Sequence, residues 1–189
     1  MSADALTGGF ADAPVQAARA FRAALDALAR PGKITKLAGA APPSPLSAAA
    51  GALVLTLVDG TTPLHLGASH DQPAVRDWIT FHTGAPLVGA AEAVFALGTW
   101  PSLQPLARFA IGTAEYPDRS ATLIVELPAL ATGGARLAGP GIETTAVLAL
   151  PDPTAFVANH SLNPLGLDFF FTCGAKLAAL PRSTRVEAL

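Results

Sequence analysis

Toward its C-terminal end the chain concentrates proline and glycine in three blocks: Leu137-Ala138-Gly139-Pro140-Gly141-Ile142, Asn163-Pro164-Leu165-Gly166-Leu167-Asp168 and Leu180-Pro181-Arg182-Ser183-Thr184. Proline fixes φ and lacks an N–H, while glycine admits positive φ, so each block dictates a rigid turn that few other residues reproduce. These residues specify backbone shape rather than reactivity. The chain reads as one made to hold a surface.

Between the turns, hydrophobic periodicity predicts the regular elements. Asp12 as N-cap, Pro14 in the first turn, and Val15, Ala18, Phe21, Leu25 and Leu28 at three- and four-residue steps predict an amphipathic helix that stops before Pro31-Gly32. A nearly unbroken apolar run over 46–58 predicts a buried helix, and 72–83 reads as a helix stopped by Gly84. Further helices are expected over 102–109 and 153–159. Strands are expected over 34–37, 64–66, 92–97, 121–127, 145–150 and 167–172. Helices and strands alternate, and several strands are apolar on both faces, the pattern of a sheet covered by helices on each side. The expected fold is therefore α/β: one domain over 1–189, a three-layer α-β-α sandwich with a mixed sheet.

Composition narrows the function classes. Charged residues make up 14% of the 189 and the hydrophobic fraction is 51%, against about 25% charged in an average soluble domain. Alanine enrichment accounts for part of this, and an exterior partly covered by another subunit accounts for the rest. A net charge of −2 gives no electrostatic footprint for nucleic acid or an anionic membrane. Cys173 is a lone cysteine, which excludes an internal disulfide and suits a reducing compartment. With no signal peptide pattern and no apolar run of about 20 residues, a cytoplasmic protein is expected.

The search for chemistry finds little. Gly67-Ala68-Ser69-His70-Asp71 comes closest to a nucleophile motif, yet it lacks the second glycine of Gly-x-Ser-x-Gly and reads as a polar loop capping the next helix. Gly139-Pro140-Gly141 puts proline where a phosphate loop needs a free N–H, so it reads as a corner. His65, His70 and Asp71, with His82 further along, are the nearest approach to a metal ligand set and read as solvated, with His82 a core histidine. Of the lysines available to a Schiff-base cofactor, Lys33 and Lys36 flank the first turn and strand, where alternation points at least one to solvent, and Lys176 has no recognisable acidic companion beside it. No catalytic, metal-binding or cofactor-binding residue is assigned. Arg182, Ser183 and Thr184 could hold a phosphate or phosphonate; alternatively Arg182 pairs with Asp168 or caps a buried carbonyl.

The turn blocks, taken with Gly9-Phe10, Phe21-Arg22, Pro31-Gly32, Leu55-Thr56-Leu57-Val58-Asp59 and Phe81-His82-Thr83-Gly84-Ala85-Pro86, run in an order that resembles the PhnH family, a subunit of the bacterial carbon–phosphorus lyase system. The resemblance implies a fold like the large domain of pyridoxal-phosphate-dependent transferases, without the cofactor. It implies an accessory role, alongside partners G, I and J, in placing an alkylphosphonate on the ribose of ATP with loss of adenine. The radical step would belong to an iron–sulfur partner, since a single thiolate cannot ligate a cluster. On this reading a low-charge face including Phe169-Phe170-Phe171 or Trp100-Pro101 meets a partner or, in a homodimer, a second copy. The alternatives are a stand-alone phosphonate- or phosphate-ester-binding enzyme and a regulatory module.

Overall fold

The computed structural model describes residues 6–189, so residues 1–5 of the expected domain lie outside the described residues. Helix α1 (Ala13–Ala29) begins as expected, with the Asp12 carboxylate accepting the Val15 N–H and Pro14 in the first turn. Its buried side is not the expected one. Ala20, Ala24 and Ala27 face the core, whereas Val15, Phe21 and Leu25 are 43%, 46% and 50% exposed. The neighbour is α2 (Ala48–Leu57), itself rich in alanine. Two helices meeting through methyl groups approach closely, which leaves the bulky residues of α1 outside the contact.

Helix α2 is the buried helix foreseen over 46–58: Ala49 to Val54 are all inaccessible, and Ser47 caps it by accepting the Ala50 N–H. Helix α3 (Pro73–Thr83) ends at Gly84, whose φ of +68° is the left-handed stop that glycine supplies without a Cβ penalty. Helix α4 (Pro153–His160) starts at Asp152, whose carboxylate accepts the N–H groups of Thr154 and Ala155. No helix among the described residues is long and apolar enough to cross a membrane.

Nine strands among the described residues follow in chain order: β1 (Thr35–Lys36), β2 (Leu64–Leu66), β3 (Phe95–Thr99), β4 (Thr122–Glu126), β5 (Ala135–Ala138), β6 (Ala146–Leu148), β7 (Asp168–Cys173), β8 (Lys176–Leu180) and β9 (Arg185–Ala188). Six form a mixed sheet ordered β1-β8-β7-β4-β3-β2, in which β2, β3, β4 and β7 are parallel and β8 and β1 alternate in direction. The other three form a small antiparallel sheet, β6-β5-β9.

Alternate residues of the central strands feed two cores. Leu97, Ile124, Phe170, Leu177 and Ala179 pack under α1, α2 and α3. Ala96, Leu123, Val125, Phe169, Phe171, Ala178 and Leu180 pack on the other face. The mixed α/β sheet is as expected, and α1, α2 and α3 cover one face. The second face carries α4 and the small sheet, through Leu137, Leu148 and Val186.

Other expectations are corrected. The strand foreseen over 92–97 begins at Phe95, because Glu92 lies in a 3-10 turn, Ala90–Glu92. The helix foreseen over 102–109 is two 3-10 turns, Pro101–Leu103 and Leu106–Arg108, divided where Pro105 removes a backbone donor. Phe169, Phe170 and Phe171 are 0%, 2% and 0% exposed and face no partner. His82 is half-buried at the surface with Nε2 3.2 Å from the Thr7 carbonyl, not in the core.

The first glycine–proline corner has a steric reason. Gly141 has φ +81°, and a Cβ there would lie 1.9 Å from the carbonyl oxygen of Ala29, at the end of α1. The corner thus locks the small sheet to the first helix.

Candidate functional site

The carboxyl ends of β2, β3 and β4, with the β7–β8 turn at Gly174, open into a cleft of about 550 Å³. Open α/β sheets collect ligands at this edge, where the loops leaving successive strands diverge. Trp100, Pro45, Pro101 and Pro128 supply flat apolar walls, and His70 and Glu126 are the ionisable side chains lining it. Trp100 is held against Phe156 with ring centroids 5.0 Å apart, and Phe156 meets Phe169 edge-on at 4.9 Å.

Hydroxyl groups brace His70 from behind. Its Nδ1 is 2.8 Å from Ser69 Oγ, which accepts the Thr99 N–H at 3.0 Å and lies 2.8 Å from Ser102 Oγ. The Ser102 hydroxyl donates to the Thr99 carbonyl at 2.9 Å. Two glycines clear the space for that hydroxyl: a Cβ on Gly67 or Gly98 would stand 2.6 or 2.5 Å from Ser102 Oγ. His70 is 1% exposed, and its Nε2 has no hydrogen-bond partner. Burial lowers the His70 pKa, against the Glu126 charge, which raises it. Glu126, 8% exposed, accepts the Ser47 N–H at 2.7 Å and so occupies the amino end of α2.

Arg182 lies at the opposite edge, beside the start of β7. Its Nε is 3.2 Å from both Asp168 oxygens, Nη1 donates to the Pro117 carbonyl at 2.7 Å, and Nη2 reaches Ser120 Oγ and Asp168. The Asp168 carboxylate also accepts the Arg182 backbone N–H at 2.8 Å. At the same amino edge, Phe21, Leu25 and Leu28 of α1 border a groove of about 170 Å³ floored by Leu57, Phe95 and Phe170. Val94, just ahead of β3, is 45% exposed.

Residues 8–187 match the family model described as bacterial phosphonate metabolism protein (PhnH). The chain is 40% identical over 192 residues to the alpha-D-ribose 1-methylphosphonate 5-triphosphate synthase subunit PhnH of Rhizobium meliloti (strain 1021), covering 96% of this chain and 95% of that protein. The chain belongs to the PhnH family. A second relative, HtxG of Stutzerimonas stutzeri, described as a candidate C-P lyase subunit, is 33% identical over 202 residues, 95% of each chain. PhnH homologues are thus subunits of the phosphonate-degrading system.

In this PhnH-family chain the motifs singled out by sequence are dispersed. Arg182 and Asp168 come together as an ion pair, and the Thr184 hydroxyl is buried without a hydrogen-bond partner. Ser69 and His70 are hydrogen-bonded neighbours, a contact their adjacency concealed. His65 instead directs Nδ1 to the Val88 carbonyl at 3.0 Å, and Asp71 pairs with Arg76, which lowers the Asp71 pKa. No three His, Cys, Asp or Glu among the described residues gather to hold a metal ion. Glu126, Ser102 and Thr99 escaped sequence reading altogether. The signal that could have found Glu126 is a carboxylate closing the apolar strand 121–126, where burial demands a partner.

Proposed function

We propose that this chain is an accessory subunit of the carbon–phosphorus lyase core complex in alkylphosphonate catabolism. It supports transfer of the phosphonate onto the ribose of ATP with release of adenine. In support, its Rhizobium meliloti relative is a subunit of alpha-D-ribose 1-methylphosphonate 5-triphosphate synthase. The observation that carries the reading is the outer stripe of α1. Phe21 and Leu25 stand about half exposed beside an apolar groove, on a chain with 14% charged residues. Exposed large apolar side chains bordering a groove are what a subunit buries against its neighbour. The partners on this reading are the G, I and J subunits, with a homodimer through the same edge when the chain is alone, in the cytoplasm.

The proposal includes a single domain over 1–189, akin to the large domain of pyridoxal-phosphate-dependent transferases and working without the cofactor. Consistent with this, Lys33 pairs with Asp26, Lys176 Nζ lies 3.5 Å from the Leu130 carbonyl, and neither they nor Lys36 line the carboxyl-edge cleft. The alternative, a stand-alone phosphonate- or phosphate-ester-binding enzyme or regulatory module, would use Arg182, Ser183 and Thr184. Asp168 already occupies that guanidinium, so an anion would have to displace it.

An omission experiment tests the role. Reconstituted lyase subunits are given methylphosphonate and ATP, and adenine release is followed with and without this chain. The proposal predicts release that depends on the chain and none from the chain alone. Release that is unchanged without it, or turnover by the isolated chain, contradicts the proposal.

A further inference from the structure

Helix α1 carries an unbalanced charge beside its exposed apolar stripe. Arg19 and Arg22 lie on its exposed side, and helical steps of three and four residues set Arg22 next to Ala18 and Leu25, and Arg19 next to Val15 and Arg22. Asp26, one turn beyond Arg22, is the only carboxylate of the helix. Both of its oxygens are taken from the other side: Oδ1 by Arg30 at 2.5 Å and Oδ2 by Lys33 at 2.6 Å. Among the described residues, no ion pair or hydrogen bond engages the Arg19 or Arg22 side chain. Like charges at this spacing repel, and a carboxylate brought from outside would offset both.

The groove on the other flank of the stripe sets the apolar requirement. Its 170 Å³, bordered by Phe21, Leu25 and Leu28, is room for one aromatic or branched side chain, since a protein cavity of about 150 Å³ accepts a benzene ring. Asp168 also lines the groove, but it is paired with Arg182, so no uncompensated carboxylate opposes an acidic visitor. A second copy fits this face less well. Two copies meeting through one patch would bring Arg19 and Arg22 toward their own images, and like charges opposed across an interface cost affinity.

We propose that the outer face of α1 docks an acidic amphipathic segment of a partner subunit. One large apolar side chain of that segment enters the groove beside Phe21 and Leu25, and its carboxylates pair with Arg19 and Arg22. The inference rests on the subunit role proposed above and names what the partner must present at this edge.

The test measures binding of the reconstituted G, I and J subunits to the immobilised intact chain at several salt concentrations, with sedimentation of the chain alone alongside. Attraction between opposite charges speeds encounter, so the association rate of the parent should fall steeply as salt rises. Arg19→Glu with Arg22→Glu should slow association about tenfold or more and remove most of that salt dependence, with dissociation nearly unchanged. Arg19→Gln with Arg22→Gln should give an intermediate loss. Phe21→Ala should instead speed dissociation about tenfold or more. These side chains are exposed, so circular dichroism of each variant should match the parent. Association that is unchanged or faster after charge reversal, with parent binding intact, overturns this inference and leaves the subunit role standing. A chain that binds a second copy more tightly than it binds the subunits also overturns it. A parent that binds no subunit overturns the subunit role and this inference together.

Discussion

At the scale of single residues, the contrast lies between Arg182 and His70. Arg182 is satisfied on nearly every side by Asp168, Ser120 and the Pro117 carbonyl, which makes it an anchor joining β7 to the turn before β9. Asp168→Asn should destabilise the fold by about 1–3 kcal/mol in denaturant unfolding. That is less than a fully buried pair would lose, because the two side chains remain 15% and 23% exposed. His70 predicts a pH effect. Its folded pKa is depressed, so the unfolded chain binds more protons as pH falls below the ordinary histidine value of about 6.5. Stability is therefore complete above that value and lost as pH falls below it. His70→Gln should flatten the decline of Tm on acidification; an unchanged slope would place the titration elsewhere. The sequence foresaw Asp168 as a companion for Arg182, since both belong to rigid turn blocks. It named His70 as part of a polar loop but hid the buried hydroxyl network behind it, because the space cleared by Gly67 and Gly98 comes from segments about 30 residues apart.

At the scale of elements, end signals were more legible than faces. Asp12, Ser47, Asp152 and Gly84 act as stops and caps through contacts within a few residues, so local sequence suffices to locate them. The orientation of α1 depends on what packs against it, and an alanine face against an alanine-rich helix outweighed the larger apolar residues. Strands β5 and β9 were missed for the same reason. Arg136 and Glu187 alternate with buried Leu137 and Val186 in short segments flanked by turns, and the pairing that makes them strands joins residues about 50 apart. Two substitutions test the element account. Ser47→Ala removes the α2 cap and should cost about 1 kcal/mol. Leu53→Ala, in the fully buried middle of α2, should cost about 2–5 kcal/mol by leaving a cavity. Equal losses at the two sites would mean that α2 is less enclosed than its packing indicates.

At the scale of the molecule, the parallel strands give the protein two edges with different chemistry. The carboxyl edge holds a cleft with acceptors and flat walls, while the amino edge exposes Phe21 and Leu25 beside an apolar groove. On the proposed subunit role, exposed Phe21 and Leu25 make the second edge the place to look for other subunits. The most direct measurement is co-purification of the remaining lyase subunits with a tagged chain carrying Phe21→Glu and Leu25→Glu, after circular dichroism has matched its fold to the parent. The account predicts that the parent retains its partners and the double variant loses them, with affinity down at least a hundredfold, since two central apolar anchors are replaced by charges. Full retention of every partner by a correctly folded double variant would contradict it.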